Sequence, residues 1–123
     1  MIPSWRVVFM GGLQPGQSTT TVAALVAEAL SAEQLIIATD VDGIYDSDPK
    51  LNPAARKFDR VRIEKLEKMF SGGVRAGEYK LLDPLTISLI KRSRIRTQVL
   101  NGRPPSNIRR ALKGEVVGTL IVC

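Results

Sequence analysis

Two short apolar runs bracket a helix-forming stretch in the first third of the chain. Residues 6–10 (RVVFM) are β-branched and apolar and stop at Gly11 and Gly12, which predicts a buried strand feeding a glycine turn. Hydroxyls at Ser18, Thr19, Thr20 and Thr21 offer N-caps to residues 22–30 (VAALVAEAL), whose composition is strongly helix-forming. Residues 35–39 (LIIAT) read as a second apolar strand that runs into the acidic segment 40–48. Strand, helix and strand in this order predict a right-handed βαβ unit with parallel strands.

Asp48-Pro49 and Asn52-Pro53 mark a loop. Beyond it, Ile63, Leu66 and Phe70 recur at helical spacing within residues 61–70 and predict an amphipathic helix ended by Ser71, Gly72 and Gly73. Residues 74–82 read as an irregular loop. Asp83-Pro84 restarts a helix whose core face is expected at Leu85, Leu89 and Ile90, and a third strand follows at 97–100, stopped by Asn101-Gly102. Pro104, Pro105 and Ser106 open a short helix through Leu112, and residues 117–122 form a last strand. With no internal repeat and no linker, the pattern predicts one α/β domain over residues 1–123, a mainly parallel sheet flanked by helices.

Composition narrows the chemistry. The 123 residues are 44% apolar and 24% charged, as in an ordinary globular domain. Apolar stretches such as 35–38 fall far short of the roughly 20 residues of a membrane span, and the first residues lack a secretory h-region, so a cytoplasmic protein with no membrane partner is expected. A single cysteine, Cys123, excludes an intrachain disulfide framework and a paired-thiolate zinc site. The absence of histidine removes His-based triads and His metal sites. Chemistry is left to carboxylates, Lys and Arg, hydroxyls, backbone amides or a metal carried in by a ligand, which favours phosphate transfer over hydrolysis.

The net charge of +6 is unevenly spread, with residues 1–61 at net −2 and residues 62–123 at net +8. That polarity suggests an anionic partner for the second half. The six aromatic residues do not interleave with the basic run at 91–96 as a base-stacking platform would, so no nucleic-acid partner is expected. Cations in the last turn of a helix and a solvated surface account for the run more simply.

Three segments have the residue types that site chemistry needs. Gly11, Gly16 and Ser18 reproduce the spacing of a P-loop between a strand and a helix, but Gln17 stands where a lysine would reach the outer phosphates. The alternatives are a phosphate or nucleotide site of another design, using turn amides and the hydroxyls of Ser18, Thr19 and Thr20, and a glycine turn with a well-capped helix that needs no ligand. Asp40, Asp42, Asp46 and Asp48 crowd the carboxyl end of a strand, where ligands bind in parallel α/β sheets. They do not form a calcium loop, because Gly43 falls at the fourth position and the closing Glu is missing. Each aspartate also fits a simple turn, and Tyr45 either stacks on a base or covers the core. Residues 72–80, with Arg75 and Lys80, are either a phosphate-covering loop or a plain one.

Several of these runs together match one family. GGLQPGQSTTTVAALVAEA, TDVDGIYDSDPKLNP, AGEYKLLDPL, RSRIRTQVLNGR and ALKGEVVGTLI resemble the archaeal branch of UMP kinase, in the amino acid kinase superfamily. The TDVDGIYDSDP run resembles the superfamily at large, and the PGQST turn narrows the resemblance to UMP kinase. It implies transfer of the γ-phosphoryl of ATP to UMP, with Mg2+ accompanying ATP and catalysis by positioning and charge stabilisation. It implies UMP binding by Leu13, Gln14, Pro15, Gly16, Gln17, Ser18 and Thr19, and ATP binding by Thr39, Tyr45 and Asp48. A homohexamer is implied for the complete protein. Many superfamily members carry an aspartate that organises catalytic lysines where this sequence has Thr20, although archaeal relatives sharing PGQST can also lack it. The matched runs correspond to the C-terminal half of a UMP kinase. The first strand, its lysine and a second glycine-rich loop are therefore expected to be absent, with little or no turnover by the chain alone and exposed surface that favours self-association. A kinase half for another small acceptor, an inactive remnant and a basic nucleic-acid-binding module are the competing functions.

Overall fold

The structure is a computed structural model and describes residues 19–71 and 81–123. The expected strand at 6–10, the glycine turn after it and the loop at 72–80 lie outside the described residues. Among the described residues, four strands, β1 (Gln34–Thr39), β2 (Arg60–Arg62), β3 (Arg96–Asn101) and β4 (Thr119–Val122), and four helices, α1 (Thr19–Ala29), α2 (Ile63–Ser71), α3 (Pro84–Ser93) and α4 (Pro105–Leu112), make an α/β fold.

The strands form one sheet in the order β1-β3-β4-β2. β1 pairs with β3 in parallel, from Gln34 opposite Arg96 to Thr39 opposite Asn101. β2 pairs in parallel with β4, while β3 and β4 are antiparallel, with Val99 opposite Thr119. The sheet is thus mainly parallel, as expected, but mixed at its centre. The cause is the path after α4, which begins beside Asn101, where Asn107 Nδ2 donates to the Asn101 carbonyl at 3.0 Å. It ends beside the start of β3, where Arg96 donates to the Gly114 carbonyl at 3.1 Å. Residues 115–118 then climb alongside β3 before the chain reverses, so β4 descends. The last strand consequently begins at Thr119 and not at residue 117.

Period-2 alternation splits the sheet into two faces. Leu35, Ile37, Val99, Val61 and Ile121 join Ala24 and Ala27 of α1, Ile63, Leu66 and Phe70 of α2, and Ile87, Leu89 and Ile90 of α3 in the main core. The opposite face is covered by α4, where Leu100 and Ala111 are fully buried and Gln34 donates to the Ala111 carbonyl. α1 is apolar on nearly every side; Val22 and Leu25 remain exposed on it, as does Leu30 just beyond its end.

Two local expectations change. α2 starts at Ile63, because residues 60–62 pair with β4 as a short strand that contributes a single buried side chain, Val61. In α3, Asp83 caps the helix by accepting the Thr86 amide at 2.7 Å, and Pro84 takes the first turn. The buried face then falls on Thr86, Ile87, Leu89 and Ile90, leaving Leu85 57% exposed on the flank. The basic run ends α3 as cations suited to a helix C-terminus. Lys91 pairs with Glu67 of α2 at 3.0 Å, and Arg92 donates to both carboxylate oxygens of Glu28 on α1.

Candidate functional site at the carboxyl ends of β1 and β3

β1 and β3 finish side by side, and the amide of Gly102 donates to the Thr39 carbonyl at 2.9 Å. From Thr39 the chain makes an excursion through residues 40–59 before entering β2. The base of this excursion is an antiparallel pair of arms. Tyr45 bridges Lys57, Asp46 donates its amide to the Arg56 carbonyl at 3.0 Å, and Phe58 donates its amide to the Ile44 carbonyl at 2.9 Å. Ile44 is fully buried and ties the arms to the core.

Each of the four aspartates is held by a neighbour. Asp40 accepts Lys50 Nζ at 2.8 Å, and Asp42 accepts Asn101 Nδ2 at 3.1 Å, which links the excursion to the end of β3. Asp46 accepts the Arg56 amide at 3.0 Å. Asp48 forms an Asx turn, its carboxylate accepting the Lys50 amide at 2.9 Å and its carbonyl accepting the amides of Leu51 and Asn52. The turn expected at Asp48-Pro49 is therefore present.

The Lys50 hydrogen bond, and then its charge, hold the Asp40 carboxyl below its ordinary pKa. A depressed carboxylate contributes to stability above its unfolded pKa and loses that contribution as pH falls through the folded value. The midpoint of Asp40 measured by NMR should thus lie below that of an exposed aspartate and return to it in Lys50→Met. An unchanged midpoint in that variant would count against the pairing.

The residues expected to hold ATP lie on this one excursion. Thr39 is the last residue of β1, half-buried Tyr45 sits on the outgoing arm, and Asp48 makes the turn beyond it. Of the residues expected to hold UMP, Leu13, Gln14, Pro15, Gly16, Gln17 and Ser18 lie outside the described residues, and Thr19 opens α1.

Three features escape sequence reasoning. Asp83 does more than cap α3, because Thr21 in the first turn of α1 donates its hydroxyl to the carboxylate at 3.0 Å and lies 2.8 Å from the Thr86 hydroxyl. A carboxylate therefore stands where the positive ends of α1 and α3 meet. Buried Gln98 and Thr119 both reach backbone groups of other segments. Asp-Pro is a visible helix start, but nothing local signals its partner in α1, and a Gln or Thr inside a strand carries no mark of a distant bond.

This is an α/β domain that gathers polar side chains at the carboxyl ends of adjacent parallel strands, where ligands bind in such sheets. The chain belongs to the amino acid kinase family, whose profile matches residues 4–101. It is similar to the uridylate kinase of Thermofilum pendens, 61% identical over 117 residues that make up 94% of this chain and 50% of the relative. The crystal structure of uridylate kinase from Archaeoglobus fulgidus superposes with a TM-score of 0.75 at 43% identity, covering 92% of this chain and 50% of that one. E. coli aspartokinase III in complex with aspartate and ADP superposes with a TM-score of 0.67 at 35% identity, covering 85% of this chain and 20% of that one. The chain spans about half the length of the curated relatives it matches.

Among the described residues, no helix is long and apolar enough to cross a membrane.

Proposed function

We propose that the chain is the nucleotide-seating, C-terminal half of a UMP kinase, a single α/β domain that contributes to transfer of the γ-phosphoryl of ATP to UMP. The observation that carries this reading is the seated excursion with Thr39, Tyr45 and Asp48 at the end of β1, in a chain similar along nearly all its length to archaeal uridylate kinases. ATP is assigned to that excursion, with Tyr45 as the aromatic surface for the base. UMP is assigned to Leu13, Gln14, Pro15, Gly16, Gln17, Ser18 and Thr19, whose amides and hydroxyls lead into the positive end of α1. The groups would act by holding the two nucleotides in line and by stabilising charge on the transferred phosphoryl.

Among the described residues, no three acidic or thiol groups come close enough to cage a metal, and the four aspartates already accept from neighbours. These residues do not fit a resident magnesium site. Mg2+ is therefore assigned to the phosphates of ATP, and no step is routed through this chain's carboxylates. The complete protein is read as a cytoplasmic homo-oligomer, a homohexamer, with no nucleic-acid or membrane partner.

Titration calorimetry of the chain with UMP and, separately, with Mg-ATP tests the proposal. Binding of each nucleotide is expected, with turnover below detection until the N-terminal half of an archaeal uridylate kinase is added. No binding to either nucleotide, or unaided turnover of roughly 1–100 per second, would overturn it. The likeness to aspartokinase III favours a second reading, a carboxylate acceptor, which binding of aspartate in preference to UMP would support.

A further inference from the structure

Thr119 stands where β4 meets the excursion that leaves β1, and its side chain is fully buried on the main-core face. Ile44 donates its amide to Thr119 Oγ1 at 2.8 Å, and the hydroxyl donates to the Phe58 carbonyl at 2.6 Å. The Phe58 amide closes the circuit on the Ile44 carbonyl at 2.9 Å. Two residues facing each other in a hydrogen-bonded antiparallel pair normally exchange both bonds directly. Here one bond runs through a hydroxyl supplied by a third strand, so Thr119 acts as a spacer within the Ile44–Phe58 pair. The fit is close on the other side as well, because a Cβ on Gly43 would lie 2.5 Å from Thr119 Oγ1. Tyr45 follows Ile44 directly on the outgoing arm, and Asp48 makes the turn beyond it.

We propose that Thr119 is a positioning residue for nucleotide binding: its hydroxyl fixes where Tyr45 and Asp48 stand relative to Thr39. The inference rests on the assignment of ATP to these three residues. Thr119 touches no nucleotide in this scheme and acts only through the arms. Replacing it with valine keeps the shape and removes the hydroxyl. The Ile44 amide and the Phe58 carbonyl are then either left without partners or drawn into a direct bond that narrows the arms, and both outcomes displace Tyr45 and Asp48.

The test compares wild type, Thr119→Val and Thr119→Ser by calorimetry with Mg-ATP and with UMP, alongside hydrogen exchange at the Ile44 amide. Thr119→Val is expected to weaken Mg-ATP about tenfold, to leave UMP within about twofold and to speed exchange at Ile44, since a lost buried hydrogen bond has effects of this order. Thr119→Ser, which keeps the hydroxyl, is expected to bind Mg-ATP as wild type does. Wild-type affinity for Mg-ATP in Thr119→Val overturns the positioning role and leaves the ATP assignment standing. Equal weakening in Thr119→Ser and Thr119→Val also overturns it, by tracing the effect to packing. If the wild-type chain binds UMP but not Mg-ATP, the ATP assignment fails and the inference fails with it. Should Thr119→Val not fold, the serine variant still decides, because weakened Mg-ATP binding in a folded Thr119→Ser contradicts a role carried by the hydroxyl.

Discussion

Gly118→Ala is expected to destabilise the chain by about 3 kcal/mol or more, the upper range for overpacking. A Cβ at this position would sit 2.8 Å from Leu100 Cα and 2.9 Å from the Asp42 carbonyl oxygen, and closer still to the Val99 carbonyl oxygen. All three neighbours are backbone atoms, so no rotamer change relieves the overlap and a strand must move. Gly118 lies at the reversal between the climbing residues and β4, so the displacement passes to β3 and to the Asp42 end of the excursion together. Gly114 is the control. It has a φ of 97° and open space around its Cβ position, so Gly114→Ala carries only the strain of a left-handed backbone, about 1 kcal/mol. Urea unfolding of both variants measures the difference as a shift in midpoint at constant m. A Gly118→Ala midpoint equal to that of Gly114→Ala would show that β3 and β4 separate without cost.

Gln98→Leu should cost about 3 kcal/mol by leaving buried polar groups unpaired. Gln98 is 1% exposed, and its Oε1 accepts the amides of Val117 and Gly118, the latter at 2.9 Å, while Nε2 donates to the Glu115 carbonyl at 3.1 Å. One side chain thus satisfies three backbone groups of the climbing segment, which has no ladder of its own. Leucine matches glutamine in bulk but supplies none of these bonds. A wild-type midpoint for Gln98→Leu in urea would mean that residues 115–118 find other partners. Because Gln98 and Gly118 act on one segment, the double variant should lose less than the sum of the two single losses.

Elements governed by local periodicity are legible in the sequence. Ile63, Leu66 and Phe70 announce the buried face of α2, the apolar run at 35–39 announces β1, and Asp83-Pro84 announces the start of α3. β2 was not legible because RVR carries a single apolar residue, and three residues cannot establish a period. The direction of β4 was not legible either. An alternating pattern reads the same in parallel and antiparallel strands, and the Gln98 bonds and the Gly118 contact that accompany the reversal are not local. Leu85 misled because it shares helical spacing with Leu89, whereas the cap and the tertiary contacts set the phase of α3. The ATP-assigned residues came from a family resemblance joined to their place at a strand's carboxyl end. The spacer that holds them, Thr119, lies far away in sequence, and its role depends on a distance that no motif encodes.

The strand order also makes β4 a support shared by two segments. Among the described residues, β2 pairs only with β4, so residues 60–62 hold their place in the sheet through residues 119–122. The arms at Ile44 and Phe58 depend on the same strand, since Thr119 closes their circuit. β4 therefore acts as a keystone that locks two earlier segments at once. Loosening β4 therefore frees the loop assigned to ATP and the β2 edge together.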